Sequence, residues 1–122
     1  MTKKRILLID DQPEFVELIK LRLEANQYEV MTASGGQEGF DKAMSEKPDL
    51  IFLDIMMPQT NGFDVLPELR HHEQTHAIPV VMLTAKADTR SISKSQKLGA
   101  TDYMVKPVDS KTLLEVIQRY VP

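Results

Sequence analysis

Short apolar runs rich in β-branched residues recur along this chain, and each is followed by a longer stretch whose apolar residues fall at helical spacing. That alternation builds a parallel sheet, because a strand whose successor runs the same way needs a crossover long enough to hold a helix. Five such pairs can be read. The pattern predicts strands over residues 5–9, 29–32, 50–53, 80–83 and 102–105, and helices over 13–25, 36–45, 63–71, 88–98 and 110–120. Runs such as Ile6-Leu7-Leu8-Ile9 and Leu50-Ile51-Phe52-Leu53 are apolar at every position. A strand with one wet face would alternate, so these are expected to be covered by helices on both sides. The expected class is an α/β doubly wound sandwich.

The helices differ in how firmly they are written. Pro13 suits a first turn, where its missing N–H has no partner to lose, and Phe15, Leu18, Ile19 and Leu23 follow as one apolar stripe. Ser110 reads as the N-cap of the last helix, with Leu113, Leu114, Ile117 and Val121 behind it. Pro67 falls in the early turns of the third. Stretch 88–98 is weak: Arg90, Ser91, Ser93, Lys94, Ser95, Gln96 and Lys97 leave mainly Ile92 and Leu98 to bury, so it is expected to be held loosely until Gly99 ends it.

With 122 residues, the sequence is read as one domain over 1–122, large enough to hold a core without disulfides or a structural metal. It has no cysteine, which excludes zinc-thiolate sites and suggests a reducing, cytoplasmic setting. The first apolar run, Ile6 to Ile9, has four residues, against at least ~7 for a secretory core and ~18 for a membrane span. No export or membrane role is expected. Fifteen Lys and Arg against eighteen Asp and Glu give a net charge of -3, which argues against direct nucleic-acid binding.

Ligands of a parallel sheet bind beyond the carboxyl ends of its strands. Asp10 and Asp11 follow the predicted first strand, Asp54 the third, Thr84 the fourth and Lys106 the fifth, so all five fall on one edge. Singly, such residues are caps and turn formers. Together they conflict: if the first and third strands are neighbours, three carboxylates converge, and two charges ~4 Å apart at an effective dielectric of 20 repel by ~4 kcal/mol. A hard divalent cation relieves that repulsion, and an all-oxygen set suits Mg2+. Lys106 adds a compact positive charge and Thr84 a hydroxyl donor. An anionic nucleophile, a divalent ion, an ammonium and a hydroxyl are the parts that phosphoryl transfer needs.

The stretches Leu8-Ile9-Asp10-Asp11 with Gln12, Pro48-Asp49-Leu50-Ile51-Phe52-Leu53-Asp54-Ile55-Met56-Met57-Pro58, Asn61-Gly62, Val81-Met82-Leu83-Thr84-Ala85, and Gly99-Ala100-Thr101-Asp102-Tyr103-Met104-Val105-Lys106-Pro107 stand in this order along the whole chain. In them the chain resembles the response regulator receiver domains of two-component signalling, similar to the single-domain chemotaxis type. The resemblance implies a flavodoxin-like (βα)5 fold with a parallel five-stranded sheet of order 2-1-3-4-5. It implies that Asp54 is the phosphoacceptor, that Asp11 binds Mg2+ directly, that Asp10 holds a metal-bound water, and that the backbone carbonyl of Met56 completes the protein's ligands. Lys106 and Thr84 correspond to the family's phosphate contacts and Tyr103 to its aromatic switch, while the Lys106–Pro107 bond is expected to be cis. The implied partners are a sensor histidine kinase or histidine phosphotransfer protein as donor and an effector protein or domain as target. The effector reads a changed surface of the fourth helix, fifth strand and fifth helix. Without the charge pattern of dimerising receivers, a monomer is expected. Met56 and Lys86 flank the family's water approach, and neither positions water readily, so a persistent phosphoryl group is expected.

Other readings are weaker. Ser34-Gly35-Gly36-Gln37-Glu38-Gly39 lacks the spacing of a dinucleotide loop and reads as helix initiation; His71, His72 and His76 read as decoration of a helix end rather than a metal site. A haloacid-dehalogenase-type phosphatase needs a second Asp two positions beyond its nucleophile, where this chain has Met56. A degenerate receiver acting only as a protein-binding module is the alternative; retention of Asp10, Asp11, Asp54, Thr84 and Lys106 speaks against it.

Overall fold

The computed structural model describes residues 2–85 and 88–122. The elements run β1 Arg5–Ile9, α1 Pro13–Ala25, β2 Glu29–Ala33, α2 Gly36–Glu46, β3 Leu50–Asp54, α3 Gly62–His71, β4 Val80–Thr84, α4 Thr89–Lys97, β5 Asp102–Val105 and α5 Ser110–Tyr120. All four strand pairings are parallel, and the sheet order is β2-β1-β3-β4-β5, the expected topology. No helix among the described residues is long and apolar enough to cross a membrane.

The period-2 alternation of each strand divides the core into two layers. Ile6, Leu8, Leu50, Phe52, Val81 and Leu83 point to one face, where they meet Ile19 and Leu23 of α1 and Leu113, Val116 and Ile117 of α5. Leu7, Ile9, Ile51, Leu53, Val80 and Met82 point to the other, against Ala43 of α2 and Val65, Leu66 and Leu69 of α3. Both faces are therefore closed, as the uninterrupted apolar runs require.

Three expectations need correction. Strands β2, β3 and β4 each run one residue further than the apolar pattern, so Asp54 and Thr84 are the last rungs of their strands and not the residues after them; Asp54 is paired with Leu83 and Thr84 with Val105. Leu18 is 47% exposed, because at about 100° per residue it lies well round the helix from Ile19. The cap of α5 is Asp109, not Ser110: Asp109 has the extended backbone of a cap, and its Oδ1 accepts from the Thr112 N–H at 2.8 Å, leaving Ser110 as the first helical residue. Asp88 caps α4 in the same way through the Ser91 N–H at 2.8 Å. The one fully buried residue of α4 is Ser95, with Ile92 and Leu98 only half-buried, which agrees with the loose packing expected there. Glu38 accepts from both the N–H and the hydroxyl of Ser34 at 2.9 and 3.2 Å, so that stretch does start a helix.

Candidate functional site

Placing β1 beside β3 brings their carboxyl ends together, and one carboxylate oxygen from each of Asp10, Asp11 and Asp54 lies within 4.8 Å of the others. Asp10 is 1% exposed and Asp54 3%, so water screens both carboxylates only weakly. Asp10 Oδ1 accepts the Gln12 N–H at 2.9 Å. Asp10 Oδ2 is buried and accepts no hydrogen bond. Its neighbour is Lys106 Nζ at 2.7 Å, an ion-pair contact without hydrogen-bond geometry.

Lys106 follows β5 directly, and its backbone N–H is tied to the Thr84 carbonyl at 2.8 Å. The Lys106–Pro107 peptide bond is cis, as the resemblance implied. The ammonium stands 3.7 Å from Asp54 Oδ2, donates to Gln12 Oε1 at 2.8 Å and lies 4.4 Å from the centre of the Phe15 ring. Gln12, Phe15, Met56, Ala85 and Pro107 surround the mouth of a cleft of about 360 Å3 that opens onto Asp54 and Lys106.

Asp54 is pushed up from an ordinary value near 3.8 to about 7. Burial is the main cause, with the negative charges of Asp10 and Asp11 adding to it; the Lys106 ammonium and the Met56 backbone N–H oppose it. The repulsion expected from the sequence is thus present.

The turn after β3 is held from below by Gly62. Its N–H donates to the Ile55 carbonyl at 2.8 Å, while the Ile55 N–H donates to the Leu83 carbonyl at 2.9 Å. Met56, between these anchors, is 67% exposed and leaves its main chain next to the acids. Thr84 is buried at the end of β4, and Tyr103 is half-buried on β5 against the α2–α3 layer. The structure therefore gathers Asp10, Asp11, Asp54 and Lys106 at one point, with Met56 and Thr84 on adjoining segments and Tyr103 earlier on β5. Lys86 lies outside the described residues.

Sequence reasoning missed Gln12 and Phe15 as neighbours of Lys106. Phe15 was accounted for as core, and the only signal for Gln12 was its place directly after the acidic pair.

The family model described as the response regulator receiver domain matches residues 6–118. Among curated proteins, the chain is 39% identical over 113 residues to Protein PilH of Pseudomonas aeruginosa, covering 93% of each. It is 45% identical over 104 residues to the alkaline phosphatase synthesis transcriptional regulatory protein PhoP of Bacillus subtilis, covering 85% of this chain. It spans only 42% of that relative's length. Among solved structures, Vibrio cholerae chemotaxis protein CheY4 superposes with a TM-score of 0.94 at 31% identity, covering 98% of this chain and 100% of that one. The receiver domain of the Pseudomonas aeruginosa sensor histidine kinase PA1611, described with a magnesium ion coordinated in its active-site cleft, gives a TM-score of 0.90 at 27% identity, with 98% of both chains covered.

Proposed function

This chain belongs to the response regulator receiver domain family, and on that premise we propose that it is a phosphorylation-driven switch whose acceptor is Asp54. The observation that carries the reading is the buried Asp54 carboxylate packed against Asp10, Asp11 and Lys106 at the open end of the sheet. The donor is a phosphohistidine on a sensor histidine kinase or a histidine phosphotransfer protein. An Asp54 oxygen attacks the phosphorus; the O–P bond forms as the P–N bond to the imidazole breaks, and that electron pair stays on the imidazole nitrogen. The chain supplies position and electrostatics rather than covalent chemistry of its own beyond this bond.

Asp10, Asp11, Asp54 and the carbonyl of Met56 would hold Mg2+. The fit is supported by the donor set, which is all oxygen, and by Asp10 Oδ2, a buried anionic oxygen with no hydrogen bond. The magnesium described for the PA1611 receiver agrees with it. When bound, the ion supplies positive charge to the crowded acids and to the transferring group. Lys106 and Thr84 contact the phosphoryl oxygens. Two contacts of that charge-assisted kind, worth ~1.5–3 kcal/mol each, together reach ~3–6 kcal/mol, which spans the ~5.5 kcal/mol that swings an equilibrium from 1:99 to 99:1. Tyr103 passes the change to the surface of α4, β5 and α5, which an effector protein or domain reads. With net charge -3 and no cysteine, we place the relay in the cytoplasm between protein partners, with this chain a monomer and no nucleic acid contacted directly. The phosphoryl group is persistent, since Met56 offers no group to orient an attacking water.

Incubation with phosphoramidate and Mg2+ followed by peptide mapping tests the reading. Label is expected on Asp54; the same label on Asp54→Ala protein overturns it.

A further inference from the structure

The Lys106 ammonium carries three N–H donors, and among the described residues its one side-chain hydrogen bond goes to Oε1 of Gln12 at 2.8 Å. Neither carboxylate beside it takes one. Asp10 Oδ2, 2.7 Å away, meets the charge without a hydrogen bond, and Asp54 Oδ2 stands at 3.7 Å. Gln12 is held in turn by its own N–H, which donates to Asp10 Oδ1 at 2.9 Å. It occupies the N-cap of α1 in an extended conformation, yet its side chain makes no cap hydrogen bond. Short polar side chains at such a position bond the first turn of their own helix. This longer one turns away and meets a lysine 94 residues along the chain. The Phe15 ring, one turn into α1, lies against the same nitrogen.

We infer that Gln12 is a positioning residue for phosphoryl transfer: its neutral amide, with the Phe15 ring, fixes the direction of the Lys106 ammonium at the rim of the site, 2.7 Å from Asp10 Oδ2 and 3.7 Å from Asp54 Oδ2. A carboxylate in the same place would put a third negative charge on the ammonium, and an apolar side chain would leave it to the two carboxylates with no hydrogen bond to fix its direction. The amide does neither, because it accepts a hydrogen bond and leaves the charge of the ammonium intact for phosphoryl oxygens. The inference rests on Asp54 being the acceptor.

Gln12 is exposed, so Gln12→Met keeps the fold and close to the side-chain length while removing the acceptor. The rate of Asp54 labelling by phosphoramidate and Mg2+ is compared in the unaltered chain, Gln12→Met, Lys106→Met and the double variant. Gln12→Met is expected to slow labelling on the order of tenfold in the unaltered background and by less than about twofold once Lys106 is gone, since the two residues act as one unit. A merely structural role would give the same loss in both backgrounds. That result, or a Gln12→Met rate equal to the unaltered one, overturns the inference while leaving the acceptor in place; absence of label on Asp54 in the unaltered chain removes both readings together.

Discussion

The main chains of Gly62 and Asp54 meet so closely that a Cβ on Gly62 would stand 2.4 Å from the Asp54 carbonyl oxygen. The obstacle is backbone in a paired strand, which cannot swing aside as a side-chain tip can. Gly62→Ala is therefore expected to lose about 1–3 kcal/mol in urea unfolding, the usual range for overpacking, and to slow labelling of Asp54 as the strand end is displaced. An unchanged midpoint together with an unchanged labelling rate would show that the contact relaxes freely.

The raised Asp54 pKa makes stability depend on pH in a definite sense. Below about 3.8 the carboxyl is protonated in both folded and unfolded chains and costs nothing. As the pH rises through about 7, the unfolded chain releases its proton long before the folded one, so stability is lost across that window. In EDTA, Asp54→Asn is thus expected to match the unaltered protein near pH 4 and to exceed it at pH 8 by up to ~4 kcal/mol. The measurement is paired urea titrations at the two pH values; a constant difference between the proteins would contradict the assignment.

Magnesium should reverse that loss. A ligand bound only by the folded chain adds ~2.7 kcal/mol at a hundredfold excess over its Kd. Thermal unfolding with and without Mg2+ at pH 8 is expected to show a rise in Tm that Asp11→Asn abolishes. Equal shifts in both proteins would mean that the cation binds elsewhere.

Arg70, at the end of α3, donates to the carbonyls of Gly99 at 2.8 Å, His76 at 3.0 Å and Ile78 at 2.7 Å. One guanidinium thereby ties the entry to β4 to the exit from α4. Arg70→Ala is expected to cost about 1–3 kcal/mol for the carbonyls it strands and to speed hydrogen exchange at Gly99, Ala100 and Thr101. Protection unchanged at those amides would leave the tie without mechanical meaning.

The central sheet and its two covered faces were legible because Ile6 to Ile9 and Leu50 to Leu53 leave no polar face to solvent, and that alone dictates helices on both sides. Asp10, Asp11, Asp54 and Lys106 were legible for a related reason: topology sends every strand end to the same rim. Asp54 and Thr84 were misplaced by one rung because apolar periodicity stops where side chains turn polar, whereas the ladder stops where backbone pairing ends. Asp109 lost to Ser110 because both residue types cap helices and only the backbone angles decide between them. Gln12 was illegible for a deeper reason. A neutral amide has no periodic or charge signature, and its partner lies 94 residues away.

That distance has a consequence for folding. Asp10, Asp54 and Lys106 come from β1, β3 and the segment after β5, and β5 is an edge strand whose one strand partner among the described residues is β4. No fragment ending before the last strand docks can assemble the ammonium beside the acids, so a half-finished molecule holds the carboxylates of the rim without their fixed counter-charge. The rim is thus completed by the last strand to join, and its counter-charge marks a finished fold.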